Sequence, residues 1–113
     1  MDKNAMSTMF KFEFADGTTT FMTLAFIKLK MLANKNKNLY DRYMKIMTNG
    51  AKDEFDSLTC LYAAYVCAHL DDENLMSENK FIEKCGTDRF ALNEAMQAMT
   101  NPKKRKASED LSN

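Results

Sequence analysis

The chain of 113 residues is long enough for one hydrophobic core and too short for a second of independent stability. Hydrophobic residues make up 45% and charged residues 28%, ordinary values for a folded globular protein, which excludes wholesale disorder. Sixteen basic residues balance sixteen acidic ones, so the chain lacks the broad positive field with which a dedicated nucleic-acid binder neutralises phosphates.

In chain order, Phe10, Phe12 and Phe14 alternate with Lys11 and Glu13, the period-two pattern of a strand with one buried face. Asp16-Gly17 follows, a dipeptide suited to a tight turn whose central residues both take positive φ, and Thr18 to Phe21 supply β-favouring side chains. Met9 to Thr23 is therefore read as a hairpin, and because a two-stranded hairpin is marginal in water, helices are expected to cover its phenylalanine face.

Leu24, Ile27, Met31 and Leu32 fit a helical stripe, although Leu24 with Phe26, and Leu29 with Met31, also allow strand alternation; helix is preferred. Asn34 to Asn38 is polar and competes with helical hydrogen bonding, so it is either a loop or a frayed joint. Leu39, Tyr40, Tyr43, Met44 and Met47 recur at spacings of three and four and predict a second amphipathic helix, stopped by Asn49-Gly50.

Asp53 is placed to cap a central helix running to Leu70, with Glu54 and Asp56 favoured in its first turn by the helix dipole. Its apolar face is wide, Phe55, Tyr62 and Tyr65 are expected in the core, and Ala63, Ala64 and Ala68 allow close approach of neighbours. Asp71 to Asn74 reads as an acidic turn; Ser77 caps a short helix that Gly86 closes, and Thr87 or Asp88 caps a last one with a face of Leu92, Ala95, Met96 and Met99. Pro102 forbids further regular helix.

The expected fold class is thus α+β, an N-terminal β-hairpin packed against a mostly α-helical domain of four to five helices. Residues 1–8 are expected to form a flexible N-terminus, residues 9–101 a single globular domain, and residues 102–113 a basic and polar disordered tail. Lysines, a histidine and aspartates interrupt the apolar stretches before the roughly 20 residues that cross a bilayer, and no apolar run of signal-peptide type opens the chain. Cys60, Cys67 and Cys85 are odd in number and irregularly spaced, so they are expected to be reduced in a cytoplasmic setting.

Chemistry is sparsely signalled. His69 is the single histidine, Cys60 and Cys67 lie two helical turns apart, too far to share a metal, and Cys67 is on a different side of the helix from His69. The acidic groups fall at helix ends, where capping explains them, and no phosphate-cradling glycine loop is present. The expectation is a non-enzyme with no catalytic residues, cofactor or metal. Ten methionines are the unusual count; most suit a core, and Met44, Met47, Met96 and Met99 are candidates for an apolar surface that accepts a partner.

Phe10 to Phe14 with Asp16-Gly17, then Thr23-Leu24-Ala25-Phe26, Lys35 to Tyr40, Tyr43 and Asn49-Gly50 open an ordered series. Lys52 to Asp56, Leu61-Tyr62-Ala63-Ala64-Tyr65-Val66-Cys67-Ala68, Phe81, Gly86, Asp88-Arg89 and Asn101-Pro102-Lys103-Lys104 continue it. Together these segments resemble the tail assembly chaperones of siphophages and prophages of Gram-positive bacteria, over roughly residues 9 to 106. No one motif is diagnostic; the ordered set carries the resemblance. It implies a small, mostly helical mixed fold in the bacterial host cytoplasm that coats and solubilises the tape measure protein, with self-association because many copies are needed. It also implies a longer frameshifted form, with Lys103 and Lys104 as the candidate slippage position and the tail tube protein as a further partner. The competing reading is a small nucleic-acid-associated or nuclear adaptor that acts through Pro102-Lys103-Lys104-Arg105-Lys106.

Overall fold

The computed structural model describes residues 9–100; the expectations for residues 1–8, Pro102 and the tail, Lys103 and Lys104 included, lie outside them. The described chain is an antiparallel hairpin of β1 (Met9–Glu13) and β2 (Thr19–Thr23), followed by α1 (Phe26–Lys35), α2 (Lys37–Asn49), α3 (Glu54–Ala68), α4 (Glu78–Cys85) and α5 (Arg89–Thr100). This is the α+β hairpin-plus-helices architecture that the periodicities predict.

The strands pair Met9 with Thr23, Lys11 with Phe21 and Glu13 with Thr19. Phe10 and Phe14 are buried on one side while Lys11 and Glu13 stay exposed, as alternation demands. The turn differs from the two-residue form expected. Phe14 N donates to Thr18 O at 2.7 Å and Gly17 N to Phe14 O at 3.0 Å, so Ala15, Asp16 and Gly17 form a three-residue loop. Of these three Gly17 alone takes positive φ, +89°, and the Asp16 carboxylate accepts from Thr18 N and Oγ1 at 2.9 and 2.6 Å.

The polar stretch Asn34 to Asn38 proves almost wholly helical, broken at one residue. Asn36 N donates to Leu32 O at 2.7 Å, closing α1, and its side chain accepts from Leu39 N at 3.1 Å, opening α2. Asp53 caps α3 by accepting from Asp56 N at 3.0 Å, while the Asp56 carboxylate reaches back to Lys52 N at 2.8 Å, a close relative of the capping box. Ser77 and Asp88 accept from Lys80 N and Ala91 N in the same way, which settles the last cap on Asp88.

The helix α3 is the centre of the molecule. It stops at Ala68, two residues before the expected Leu70, and β2, α1, α2, α4 and α5 all pack on it. Eight of its residues are buried, among them Cys60, Leu61, Ala63, Ala64 and Cys67, so it is apolar nearly all round, the condition of a helix enclosed by its neighbours. Phe81 of α4 completes the core: its ring is fully buried among Phe12, Phe14, Tyr62 and Tyr65 at centroid distances of 5.4 to 6.3 Å. The two tyrosines also pin the segment before α4, Tyr62 Oη donating to Met76 O at 2.8 Å and Tyr65 Oη accepting from Met76 N at 3.1 Å. Every buried side-chain nitrogen and oxygen among the described residues has a hydrogen-bond partner.

Candidate functional site

With the core closed, the notable feature is what it leaves outside. Phe26, Phe90, Phe55 and Ile27 are 90%, 74%, 67% and 63% exposed, although each is a residue type that normally goes inside. Two of these correct expectations. Ile27 was assigned to the buried stripe of α1, but the helix turns Leu29 and Leu32 inward and Ile27 to solvent. Phe55 is expected in the core, but it lies in the first turn of α3 at the rim of an open cleft and is exposed.

Phe55, with Leu58, Ile82, Cys85 and Leu92, lines a cleft of about 220 Å³ between the start of α3 and the α4–α5 corner. The Glu54 carboxylate and the Arg89 guanidinium form an ion pair at this cleft, and Asp88 also lines it. Phe21 in β2 and Phe26 and Ile27 at the start of α1 are exposed as well, with Lys11 paired across the sheet from Phe21. Lys28 and Lys30 belong to α1, and the helix carries no acidic residue in its first turn.

The candidate methionines are divided. Met44 and Met47 are exposed on α2, Met96 is half-buried on α5, and Met99 is buried in the core. Met99 is thus a correction, because the i, i+3 face that made it a candidate is the face α5 turns onto α3 and β1. Spacing gave no sign that Phe26 and Phe90 stay outside, and it placed Ile27 on the stripe with Met31 and Leu32.

The cysteines, the histidine and several acidic groups are engaged in packing and local bonds. Burial pushes the Cys60 thiol up to about 11 and Cys67 up to about 12, and the half-buried Cys85 thiol is raised to about 11 for the same reason, so at neutral pH all three stay protonated. His69 Nε2 lies 2.8 Å from Thr20 Oγ1 and 3.2 Å from Phe21 O, tying the end of α3 to β2. Among the acidic groups, Asp71 pairs with Lys35 at 3.6 Å and Asp72 accepts from Asn74 N at 2.8 Å. Among the described residues no three His, Cys, Asp or Glu side chains are grouped to hold a metal ion, and no helix is long and apolar enough to cross a membrane.

The arrangement that results is a small body with a closed core and apolar side chains standing out from it. Neither a family model, nor a curated protein, nor a solved structure matches the chain.

Proposed function

We propose that the protein is a tail assembly chaperone of the siphophage and prophage type, which binds the tape measure protein in the host cytoplasm and keeps it soluble while the tail is built. The observation that carries this reading is the exposure of Phe26, Phe90, Phe55 and Ile27 on a molecule whose core is complete without them. The ordered resemblance across the chain and the hairpin-plus-helices fold are consistent with it.

The physical action is reversible covering of apolar surface, with no bond made or broken. Covering a fully exposed phenylalanine or isoleucine stabilises a contact by about 2 kcal/mol gross, part of which is spent on lost freedom. A few such side chains give a weak single contact, and copies that associate with one another along a long helical ruler bind it multivalently, which turns weak contacts into a stable coat. Self-association of the coat, a longer form made by slippage at Lys103-Lys104, and contact of that form with the tail tube protein belong to the same reading.

Co-expression with a tape measure protein, the long helical ruler of a phage tail, tests it. The expected result is a soluble complex of the two and an insoluble ruler without the protein; a ruler that precipitates equally in both cases overturns the proposal.

A further inference from the structure

We infer that Asn49 is a site of spontaneous covalent modification, at which the Gly50 amide nitrogen attacks the Asn49 carboxamide and leaves a carboxylate at the joint between α2 and α3. The inference is independent of the function proposed above.

The reacting pair is set by sequence. Asparagine is a thermolabile residue, and Asn49 is the one asparagine of the chain that a glycine follows. A side chain on the following residue obstructs the approach of its amide nitrogen to the carboxamide carbon; glycine has none, and its backbone turns freely into the geometry of attack. The Gly50 nitrogen gives its proton to hydroxide and bonds to Asn49 Cγ, while the carboxamide nitrogen takes a proton from water and leaves as ammonia. Water then opens the resulting succinimide at either carbonyl. One opening gives aspartate and the other isoaspartate, whose main chain runs through the former side chain; the sum is one water consumed and one ammonia released.

The fold leaves this pair open. Asn49 and Gly50 are both exposed, the Asn49 carboxamide forms no hydrogen bond among the described residues, and a Cβ built on Gly50 meets nothing within 4 Å. The carboxamides of Asn36 and Asn38, by contrast, accept from Leu39 N at 3.1 Å and Arg42 Nε at 3.0 Å. What restrains the pair is the bond from Gly50 N to Ile46 O at 2.6 Å, which closes α2 at the end where a helix frays. Attack therefore waits on that opening.

The surroundings also favour the charge that forms. Asn49 and Gly50 line a cleft of about 250 Å³ together with Arg42, Lys45, Lys52 and Asp56, three cations to one carboxylate. Arg42 is held by Glu78, but Lys45 and Lys52 form no ion pair among the described residues. Positive charge at this place stabilises the Gly50 amide anion and the oxyanion made on attack.

The test keeps the whole protein in warm, mildly alkaline buffer and follows it by peptide mapping with mass spectrometry, with an isoaspartyl methyltransferase assay for the second product. Asn49 is expected to convert before every other asparagine, to a mixture of aspartate and isoaspartate, and faster in urea than in the fold. Asn49→Gln is expected to abolish the isoaspartate signal, because its longer side chain closes the ring poorly. Lys45→Gln with Lys52→Gln, both at exposed positions, is expected to slow conversion of the folded protein about threefold at equal pH, the effect of removing two nearby cations from a solvated site. Conversion of another asparagine first, or a folded protein that keeps Asn49 intact while the unfolded chain converts, overturns the inference. So do equal rates in the fold and in urea, or a wild-type rate in the lysine variant.

Discussion

A Cβ atom built on Gly86 stands 2.6 Å from the Ala15 Cβ, so the C-terminus of α4 and the hairpin loop touch at a point where only glycine fits. The contact is reinforced by Ala15 N donating to Lys84 O at 3.0 Å, and Lys84 Nζ donates to Thr18 Oγ1 at 3.1 Å while lying 4.6 Å over the Phe14 ring.

Gly86→Ala is therefore expected to cost about 2 to 4 kcal/mol, because the new methyl meets an atom fixed to backbone and because Gly86 sits at positive φ. Urea unfolding measures it, and adding Ala15→Gly should return the steric share; a double variant no more stable than the single one refutes the contact.

The Arg42 guanidinium grips Glu78 through two bonds, Nη2 to Oε1 at 2.8 Å and Nη1 to Oε2 at 3.1 Å, and Thr59 Oγ1 donates to the same carboxylate at 3.3 Å. These bonds, Arg42's first, hold the Glu78 carboxyl below its ordinary value of 4.5 despite partial burial. Its folded value lies below its unfolded one, so the stability it contributes is present above the ordinary value and is lost as pH falls through the folded value. Arg42→Ala should cost about 1 kcal/mol at neutral pH, a modest figure because the pair is partly solvated, and should shrink the acid-side loss in a series of urea midpoints.

Phe81→Ala should cost about 3 to 5 kcal/mol, since the ring is fully enclosed and four aromatic neighbours are fixed around it. Phe55→Ala should change stability by no more than about 0.5 kcal/mol, because that ring is largely in solvent. Equal losses for the two variants in thermal unfolding would contradict the placement of Phe55.

Burial raises Cys60 and Cys67 to about 11 and 12, Cys85 to about 11, and Tyr43 to about 12, all above their ordinary values. Each neutral form is favoured in the folded state, so stability is full below the ordinary values of 9 and 10 and declines as pH rises toward 11 to 12. Urea midpoints taken upward from pH 8 should fall along that course, and native Cys60 and Cys67 should react with a disulfide reagent far more slowly than the unfolded chain.

Local chemistry made the order of elements readable in advance. Asp53, Ser77 and Asp88 cap because their short side chains reach amides in their own first turn, and Gly50 and Gly86 close helices because each adopts positive φ. The alternation of Phe10, Phe12 and Phe14 with charged residues named the inner face of β1 for the same reason: strand geometry sends neighbours to opposite sides. These signals act within a few residues and need no knowledge of what packs where.

Which apolar residues stay outside was decided by tertiary packing alone. Phe55 and Tyr62 belong to one helix and look equivalent by spacing, yet Tyr62 packs on Phe81 and Tyr65 while Phe55 stands at the rim of an open cleft and stays exposed. Ile27 is exposed and Met99 buried because the direction of each helix axis, set by the whole assembly, selects which stripe turns inward. Periodicity tells that a face exists, and only the position of neighbouring elements tells whether that face is filled, so the set of exposed apolar residues had to come from the fold.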